Sequence, residues 1–360
     1  MVPEDGITVL TGATGFVGSL VLERLIARGE QVVALVRADD DAAARGRLEQ
    51  LAEQTWGDPA VVAGVEAVAA DLERERLGLA APAYDALAAR AGAVVHCAAS
   101  VRFDLPLAEA EAINVTGTER MLELAARGRE QGAAARFVHV STAFVHGRAH
   151  GLAREEGPPA APAFRNTYEL TKRRAEEAVA QLDRAAIVRP SIVVGDSQSG
   201  WTSSFNVVYP PLRALVSGRL DVVPAPADAI LDLVPVDHVV DVVCALLDEP
   251  AAAGVVQAVA GELAPTMGEF ARLALEHAGR PMLECVPAAA DQIGVYAPYV
   301  DVWARFEFAR AGELGMRRTP IEQLVPLMLD HADAAQWGHR RILRPSPLSQ
   351  PPELAVAPRR

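Results

Sequence analysis

The sequence predicts an α/β protein, a Rossmann-type doubly wound parallel sheet followed by a smaller, mostly helical C-terminal substrate domain. Short apolar runs alternate with helical patterns through the first half of the 360 residues, which indicates βαβ units. A glycine-rich motif at 11–18 (TGATGFVG) follows the first apolar run and opens the first helical pattern. Apolar residues make up 51% of the chain, so there is enough apolar content for a sizeable core.

The first 195 residues contain the predicted sheet. Apolar, β-branched runs at 7–10 and 31–36 predict two strands, and apolar residues at helical spacing over 16–27 predict the helix between them. A longer helix is predicted over 107–126. Further strands are predicted at 65–69, 94–96, 137–140, 187–188 and 192–194, the last two separated by Pro190, which is expected to stop regular pairing.

After about residue 195 the pattern changes, because prolines punctuate the chain. Asp237 is expected to cap a helix over 238–248, and Thr266 a helix over 268–277. A further strand is predicted at 254–260. The stretch 290–340 is expected to be mostly helical.

At roughly 100–200 residues per domain, this length predicts two parts. We expect an NADP-binding Rossmann domain over 1–195 and a substrate-binding part over 196–344, with return segments to the Rossmann core near 235–260. The proline-rich tail 345–360 is expected to be disordered. Residues 155–162 (EEGPPAAP) are expected to form a surface loop.

The charge balance limits the function classes. With 34 basic and 47 acidic residues, the net charge of −13 argues against general nucleic-acid binding, which needs a basic surface. Cys97, Cys244 and Cys285 lie far apart, so we expect no disulfide framework and no metal site. No basic segment precedes an apolar stretch as in a secretory signal, and charges interrupt the most apolar segment, 231–247. We expect a cytoplasmic protein without an integral membrane segment.

The glycine motif predicts a dinucleotide site, because its glycines allow a close backbone approach to a pyrophosphate at a helix N-terminus. At the end of the second strand, where NAD-binding folds usually carry a carboxylate, the chain has Arg37. An arginine can bind a 2′-phosphate, so the sequence favours NADPH, with Arg47 as a second contact. Alternatively, Arg37 is a solvated surface residue and one of the three aspartates at 39–41 reaches the ribose.

Asp71 follows the third strand and is interpreted as an adenine contact or as a turn residue.

A catalytic group is predicted at the end of the fifth strand. Thr142 lies there, and Tyr168 and Lys172 follow at a spacing that places them one helical turn apart on one face. A phenol has a pKa near ~10, and a nearby Lys ammonium together with a cationic nicotinamide is expected to lower it. Tyr168 can then act as general acid or base, with Thr142 hydrogen-bonded to the same substrate oxygen.

These motifs together resemble the extended short-chain dehydrogenase/reductases. The segments VVHCAASVRFDLPLAEAEAINVTGT (94–118), FVHVSTAFVHG (137–147) and RPSIVVGDSQSGW (189–201) resemble, more narrowly, fatty acyl-CoA reductases and thioester reductase domains. The resemblance covers about residues 5 to 250. His146 departs from it, because many relatives carry Asn or Tyr there. No carrier-protein or adenylation domain is recognised, so the thioester is expected to arrive from elsewhere.

The resemblance also implies roles for individual residues. It places the pyrophosphate against Gly12, Thr14, Gly15, Phe16 and Val17, the 2′-phosphate against Arg37, and the adenine against Asp71 and Leu72. It places the nicotinamide side against Ala98, Ala99 and Ser100, with backbone groups of Pro190, Ser191 and Ile192 facing the nicotinamide amide. It gives Asn114 a supporting role for the catalytic helix and makes Thr142, Tyr168 and Lys172 the catalytic triad.

The resulting hypothesis is an NADPH-dependent reductase of an acyl thioester, on CoA or a carrier protein, that gives an aldehyde and, after a second hydride, an alcohol. An apolar run with Trp201, Phe205, Val207, Val208 and Tyr209 is expected at the mouth of an acyl pocket, although core packing is an equally good account of its aromatic residues. The main alternative is another extended reductase or epimerase acting on a hydroxysteroid or nucleotide sugar. A non-catalytic NADPH-binding module is a third.

Overall fold

The structure, a computed structural model, describes residues 6–157, 163–249 and 252–349. Its strands are β1 (Ile7–Thr11), β2 (Val32–Val36), β3 (Glu66–Ala69), β4 (Ala91–His96), β5 (Arg136–Val140), β6 (His150–Ala153), β7 (Ala186–Pro190), β8 (Ile192–Val194), β9 (Leu233–Pro235), β10 (Gly254–Ala258) and β11 (Trp303–Phe306). Within the described ranges, seven of them form one parallel sheet in the order β3-β2-β1-β4-β5-β7-β10. The predicted fold class is confirmed.

Helices cover both faces of this sheet. They are α1 (Phe16–Ala27), α2 (Asp41–Trp56), α3 (Ala81–Arg90), α4 (Leu107–Glu111), α5 (Gly117–Glu130), α6 (Thr167–Val179), α7 (Tyr209–Val216), α8 (Val236–Asp248), α9 (Met267–His277), α10 (Arg310–Glu313) and α11 (Ile321–Ala334). Apolar residues of α1, α2 and α8 form the core on one face, and those of α3, α5 and α6 form the core on the other. None of the helices in the described ranges combines the length and apolarity needed to cross a membrane.

The strand order creates a crevice where a ligand can bind. From β1 the chain moves outward through β2 and β3, and it then returns to place β4 on the other side of β1. The loops that leave the carboxyl ends of β1 and β4 therefore diverge, which is where open α/β sheets bind their ligands. The glycine motif follows β1, and the segment 97–100 follows β4.

A second apolar core lies outside the central sheet. It is formed by α7, α9, α11 and two small parallel sheets, β8–β9 and β6–β11. The expectation of a mostly helical 290–340 missed β11, in which Ala304 and Phe306 are buried while Trp303 and Arg305 are half-buried. This alternation is typical of a strand with one buried face.

Three other local predictions need correction. Helix α8 begins at Val236 after Pro235, so Asp237 is not its cap; the Asp237 carboxylate instead accepts hydrogen bonds from the backbone N and the Oγ of Ser197. Pro190 does not stop pairing, because it remains in β7 opposite Ala258. The helix expected over 107–126 is divided by a π-helical turn, Ala112–Thr116. By contrast, Thr266 caps α9 as predicted.

Two predicted segments lie partly outside the described residues. Of the expected loop 155–162, residues 158–162 are not described, and of the expected tail 345–360, residues 350–360 are not described. The described part of that tail contains a 3-10 turn, Pro347–Ser349. Directly before the tail, the Arg344 side chain hydrogen-bonds Glu23 on α1 and Asp196. The division of the chain at residue 195 stays a prediction.

Candidate active site

The glycine loop after β1 leaves no room for a side chain at Gly12 or Gly18. A Cβ at Gly18 would lie 2.1 Å from the Gly12 carbonyl oxygen, and a Cβ at Gly12, whose φ is +72°, would lie 2.7 Å from the Ala98 nitrogen. The N-cap of α1 is Gly15, so no side chain caps the helix, and its first turn carries no acidic residue. Thr14 and Gly15 are exposed, whereas Phe16 and Val17 are half-buried. The N-terminus of α1 thus fits a pyrophosphate.

The loop after β4 is held against this glycine loop. The Ala98 N–H donates to Thr11 Oγ1 at 3.2 Å. Asn114, which is buried in the π-helical turn, accepts from the Ser100 N–H at 2.8 Å and donates to the Ser100 carbonyl and to Thr171 Oγ1 at 3.1 and 3.0 Å. Asn114 therefore links the segment 97–100 to α6. Turns of this π type are frequent at functional sites.

The end of β2 presents a basic group. Arg37 is exposed, and the Arg47 guanidinium on α2 donates to the Arg37 carbonyl oxygen. Two of the alternative ribose ligands are engaged elsewhere: Asp40 caps α2 through the Ala43 N–H, and Asp41 accepts from the Ala69 N–H at 2.7 Å. This arrangement leaves Arg37 and Arg47 together at the strand end.

The segment after β3 gives mixed support for an adenine contact. The Asp71 carboxylate accepts from the Glu73 N–H at 2.9 Å, as a turn residue would. Its neighbour Leu72 packs close to α5, where a Cβ at Gly117 would lie 3.3 Å from the Leu72 Cβ. Both residues are half-buried at the rim of the crevice.

Thr142 and Tyr168 come together at the end of β5. Thr142 is buried, its side chain caps the following 3-10 turn through the Phe144 N–H, and it hydrogen-bonds Tyr168. Burial raises the pKa of Tyr168 to about 12, the Thr142 hydrogen bond opposes this, and the adjacent Glu169 adds to it. The lowering expected from the ammonium of Lys172 is therefore not found, and the lowering expected from a cationic nicotinamide stays a prediction. The phenol is held protonated at neutral pH.

Lys172 explains that difference. Its Nζ donates to the Val140 carbonyl oxygen at 2.8 Å and lies 3.0 Å from His139 Nε2, so the ammonium is directed at β5. Burial lowers the pKa of Lys172 to about 8. The sequence itself sets this residue apart, because Lys172 is the single lysine among the 34 basic residues of the chain.

The segment 190–192, at the end of β7, forms a wall of the site near Thr142. Thr142 Oγ1 donates to the Pro190 carbonyl at 3.4 Å. The N–H groups of Ser191 and Ile192 are already donated to the carbonyls of Ala258 and Asp232. The backbone groups that this segment could offer to a nicotinamide amide are therefore carbonyl oxygens.

An apolar pocket opens beside this wall. It encloses about 630 Å³, including its open mouth, and Ile192 contributes to its lining. Apart from two tyrosines and Met267, the lining side chains are aliphatic or phenylalanine, among them Val207, Leu215, Phe270 and Ala271.

An aromatic cluster connects the pocket to Tyr168. Tyr299 lines the pocket, and its ring centroid lies 4.8 Å from that of Phe103, which in turn lies 5.9 Å from Tyr168. Val207 and Val208 line the pocket as expected. Trp201, Phe205 and Tyr209 do not, because Trp201 packs on Phe16 and the other two pack on each other.

The family model described as male sterility protein matches residues 10–243. The chain belongs to the male sterility protein family. The match includes the glycine loop, Asn114, Thr142, Tyr168, Lys172 and the wall at 190–192, so the candidate site falls within the family's shared region. Members of this family include homologues of fatty acyl-CoA reductases and of thioester reductase domains.

Two curated relatives of this family member are similar over most of its length. The L-2-aminoadipate reductase large subunit of Penicillium chrysogenum is 31% identical over 275 residues, which is 71% of this chain and 19% of that protein. Fatty acyl-CoA reductase 1 of Gallus gallus is 31% identical over 277 residues, 66% of this chain and 53% of that protein. The chain therefore spans about a fifth and about half of the length of these two relatives.

Solved structures share the fold. The terminal R domain from the myxalamid PKS-NRPS biosynthetic pathway has a TM-score of 0.79 at 24% identity, covering 92% of this chain and 91% of that one. The Bordetella bronchiseptica enzyme WbmG, in complex with NAD and UDP, has a TM-score of 0.67 at 19% identity, covering 94% and 97%. The resemblance to fatty acyl-CoA reductases and thioester reductase domains is confirmed. The family model and the NAD-bound neighbour support a nicotinamide cofactor.

Proposed function

We propose that the chain is an NADPH-dependent reductase of an acyl thioester, carried on CoA or on a carrier protein, and that it releases an aldehyde and a thiol. The observation that carries this proposal is the apolar pocket whose wall reaches Tyr168 through Phe103 and Tyr299. The relatives support it, because one is named a fatty acyl-CoA reductase. An aliphatic wall suits an acyl chain better than a nucleotide diphosphate.

The residues of the site fit the proton chemistry of such a reduction. Thr142 and Tyr168 are hydrogen-bonded to each other at the strand end, so both can reach one carbonyl oxygen. Because its pKa is about 12, Tyr168 is protonated at neutral pH and can donate to that oxygen as it gains charge. A bound nicotinamide would supply the hydride. The resulting hemithioacetal then releases the thiol as the aldehyde carbonyl forms, and a second reduction would give the alcohol.

The chain's own residues would hold the cofactor at four places. The glycine loop and the N-terminus of α1 would bind the pyrophosphate, Arg37 and Arg47 the 2′-phosphate, and Asp71 with Leu72 the adenine side. The residues at 98–100 and 190–192 would flank the nicotinamide. Support comes from the absence of room for a Cβ at Gly12 and Gly18.

Replacing Arg37 with Ala is expected to weaken NADPH binding by roughly ten- to a hundred-fold and to leave NADH binding little changed, because only the 2′-phosphate loses a charge-assisted contact. Fluorescence titration of both cofactors measures this. Arg272→Ala, which removes an exposed arginine from α9, is the matched control and should change neither affinity. Equal losses for both cofactors, or no loss, would remove the assignment to NADPH.

The reaction itself is tested by following NADPH oxidation with a panel of acyl-CoA and acyl-carrier thioesters, aldehydes, ketosteroids and nucleotide sugars. We expect oxidation with acyl thioesters and recovery of free thiol in equal amount to the aldehyde. Oxidation with a ketosteroid or a nucleotide sugar, and with no acyl thioester, would show that the chain is another extended reductase.

The pocket predicts a dependence on chain length. Burying a methylene contributes about 0.8 kcal/mol, so kcat/KM should rise several-fold per carbon until the pocket is full and then level off. Ala271→Leu, which adds bulk to the pocket wall, should move that plateau to shorter chains, whereas Arg272→Leu at the exposed neighbouring position should not. A flat profile in the parent protein would leave the thioester chemistry standing but not the acyl pocket.

A further inference from the structure

His139 and Lys172 meet in the buried space between β5 and α6, and the mechanism above gives His139 no role. His139 Nε2 lies 3.0 Å from Lys172 Nζ, and the same Nζ donates to the Val140 carbonyl at 2.8 Å. His139 is 0% exposed and Lys172 1% exposed. Of the two acceptors that the ammonium contacts among the described residues, only His139 is a side chain.

The contact defines the protonation state of His139. An ammonium has donors but no acceptor, so the Nε2 atom must accept and the ring proton must lie on Nδ1. Burial, together with the charge of Lys172, holds the pKa of His139 well below its usual value, so the ring is neutral. Nδ1 has no partner among the described residues. Among the described residues, the polar interaction of this buried ring is therefore its contact with Lys172.

Other titratable groups face this pair without replacing the contact. Glu176, one turn after Lys172 on α6, is committed to Arg189 through two hydrogen bonds. On β4 and just beyond it, burial lowers the pKa of His96 to about 3 and raises that of Cys97 to about 12, so both are uncharged. Tyr168, one turn before Lys172, is protonated and bonded to Thr142.

We propose that His139 is a positioning residue that holds the Lys172 ammonium against β5 and keeps this lysine protonated beside the catalytic tyrosine. Burial already brings the pKa of Lys172 down to about 8, close to neutral pH. Loss of one of its acceptors would therefore release the proton in the working range of an enzyme. The effect on the titration of Lys172 is independent of any substrate, whereas the effect on turnover rests on the proposed function.

Because the chain has one lysine, the titration can be observed directly. Protein grown with ¹³C-labelled lysine and carrying a lysine-free tag gives one side-chain Cε signal, which needs no assignment. We expect the parent protein to titrate well below the usual lysine pKa. His139→Leu, which removes the acceptor, should lower the pKa of Lys172 by about one to two units. In His139→Gln, the Oε1 atom can accept in place of Nε2, so the pKa of Lys172 should stay close to the parent value.

Equal Lys172 titration in the parent and the Leu variant would overturn the proposal. If the Leu variant does not fold, the tautomer in the parent protein decides. Nitrogen NMR of ¹⁵N-histidine protein, with the His139 signals identified by their loss in the Gln variant, must show the proton on Nδ1 below about pH 8. A proton on Nε2 would overturn the proposal equally.

The pH dependence of turnover separates positioning from a general structural effect. If Lys172 must be charged, the rate should fall as pH rises through its pKa, and in the Leu variant this fall should move to lower pH by the same one to two units. A structural defect alone would lower the rate without moving the profile. If the parent protein reduces acyl thioesters but the pKa of Lys172 is the same in the Leu variant, the role of His139 is rejected and the proposed function stands. If the pKa of Lys172 falls in the Leu variant but no acyl thioester is reduced, the role of His139 stands and the proposed function is rejected.

Discussion

Tyr168→Phe is expected to lower kcat by roughly 10²–10⁴-fold, the contribution of a well-placed proton donor, while NADPH binding changes little. The ring of the variant still packs against Phe103, but the hydroxyl that hydrogen-bonds Thr142 is gone. Steady-state turnover of an acyl thioester measures the first quantity, and fluorescence titration of NADPH measures the second.

The matched control is Tyr84→Phe, the same change at a buried tyrosine of α3 on one face of the central sheet. It should leave kcat within a few-fold of the parent protein. A Tyr168→Phe variant that turns over its thioester equally well would show that another group, for which Thr142 is the nearest candidate, supplies the proton.

The features that the sequence predicted well are those that depend on neighbouring residues. Helix α1 has the predicted bounds, because its glycine start and apolar spacing are both local. The cap of α9 is equally local, since Thr266 and Glu269 hydrogen-bond each other's backbone N–H groups three residues apart. The parallel sheet with helices on both faces was also predicted, because alternating strands and helices leave few topologies.

What the sequence could not provide depends on contacts between distant segments. The strand β11 pairs with β6, which lies about 150 residues earlier, so its short run could not be distinguished from the helices around it. Trp201 was expected at the pocket mouth, but its indole N–H donates to the Ile342 carbonyl, 141 residues away. The effect of Lys172 on the pKa of Tyr168 depends on such a contact too, because the partner of Lys172 lies on a strand 33 residues earlier.

A second large effect is expected where α6 rests on the sheet. The Arg189 side chain on β7 forms two hydrogen bonds to Glu176 on α6, at 2.9 and 2.7 Å, and the two side chains are only 2% and 4% exposed. Glu176 lies one turn after Lys172, and Arg189 directly precedes the wall at 190–192. This ion pair therefore joins α6 to the segment 190–192.

Arg189→Met is expected to lower the free energy of unfolding by about 3–5 kcal/mol, because it leaves the Glu176 carboxylate buried without its partner. Urea unfolding followed by tryptophan fluorescence measures the loss. The double variant Arg189→Met, Glu176→Leu should recover most of it, since replacing both charges with apolar groups of similar size removes the desolvation cost as well as the attraction. A single variant as stable as the parent, or a double variant no better than the single, would show that the pair does not hold α6 in place.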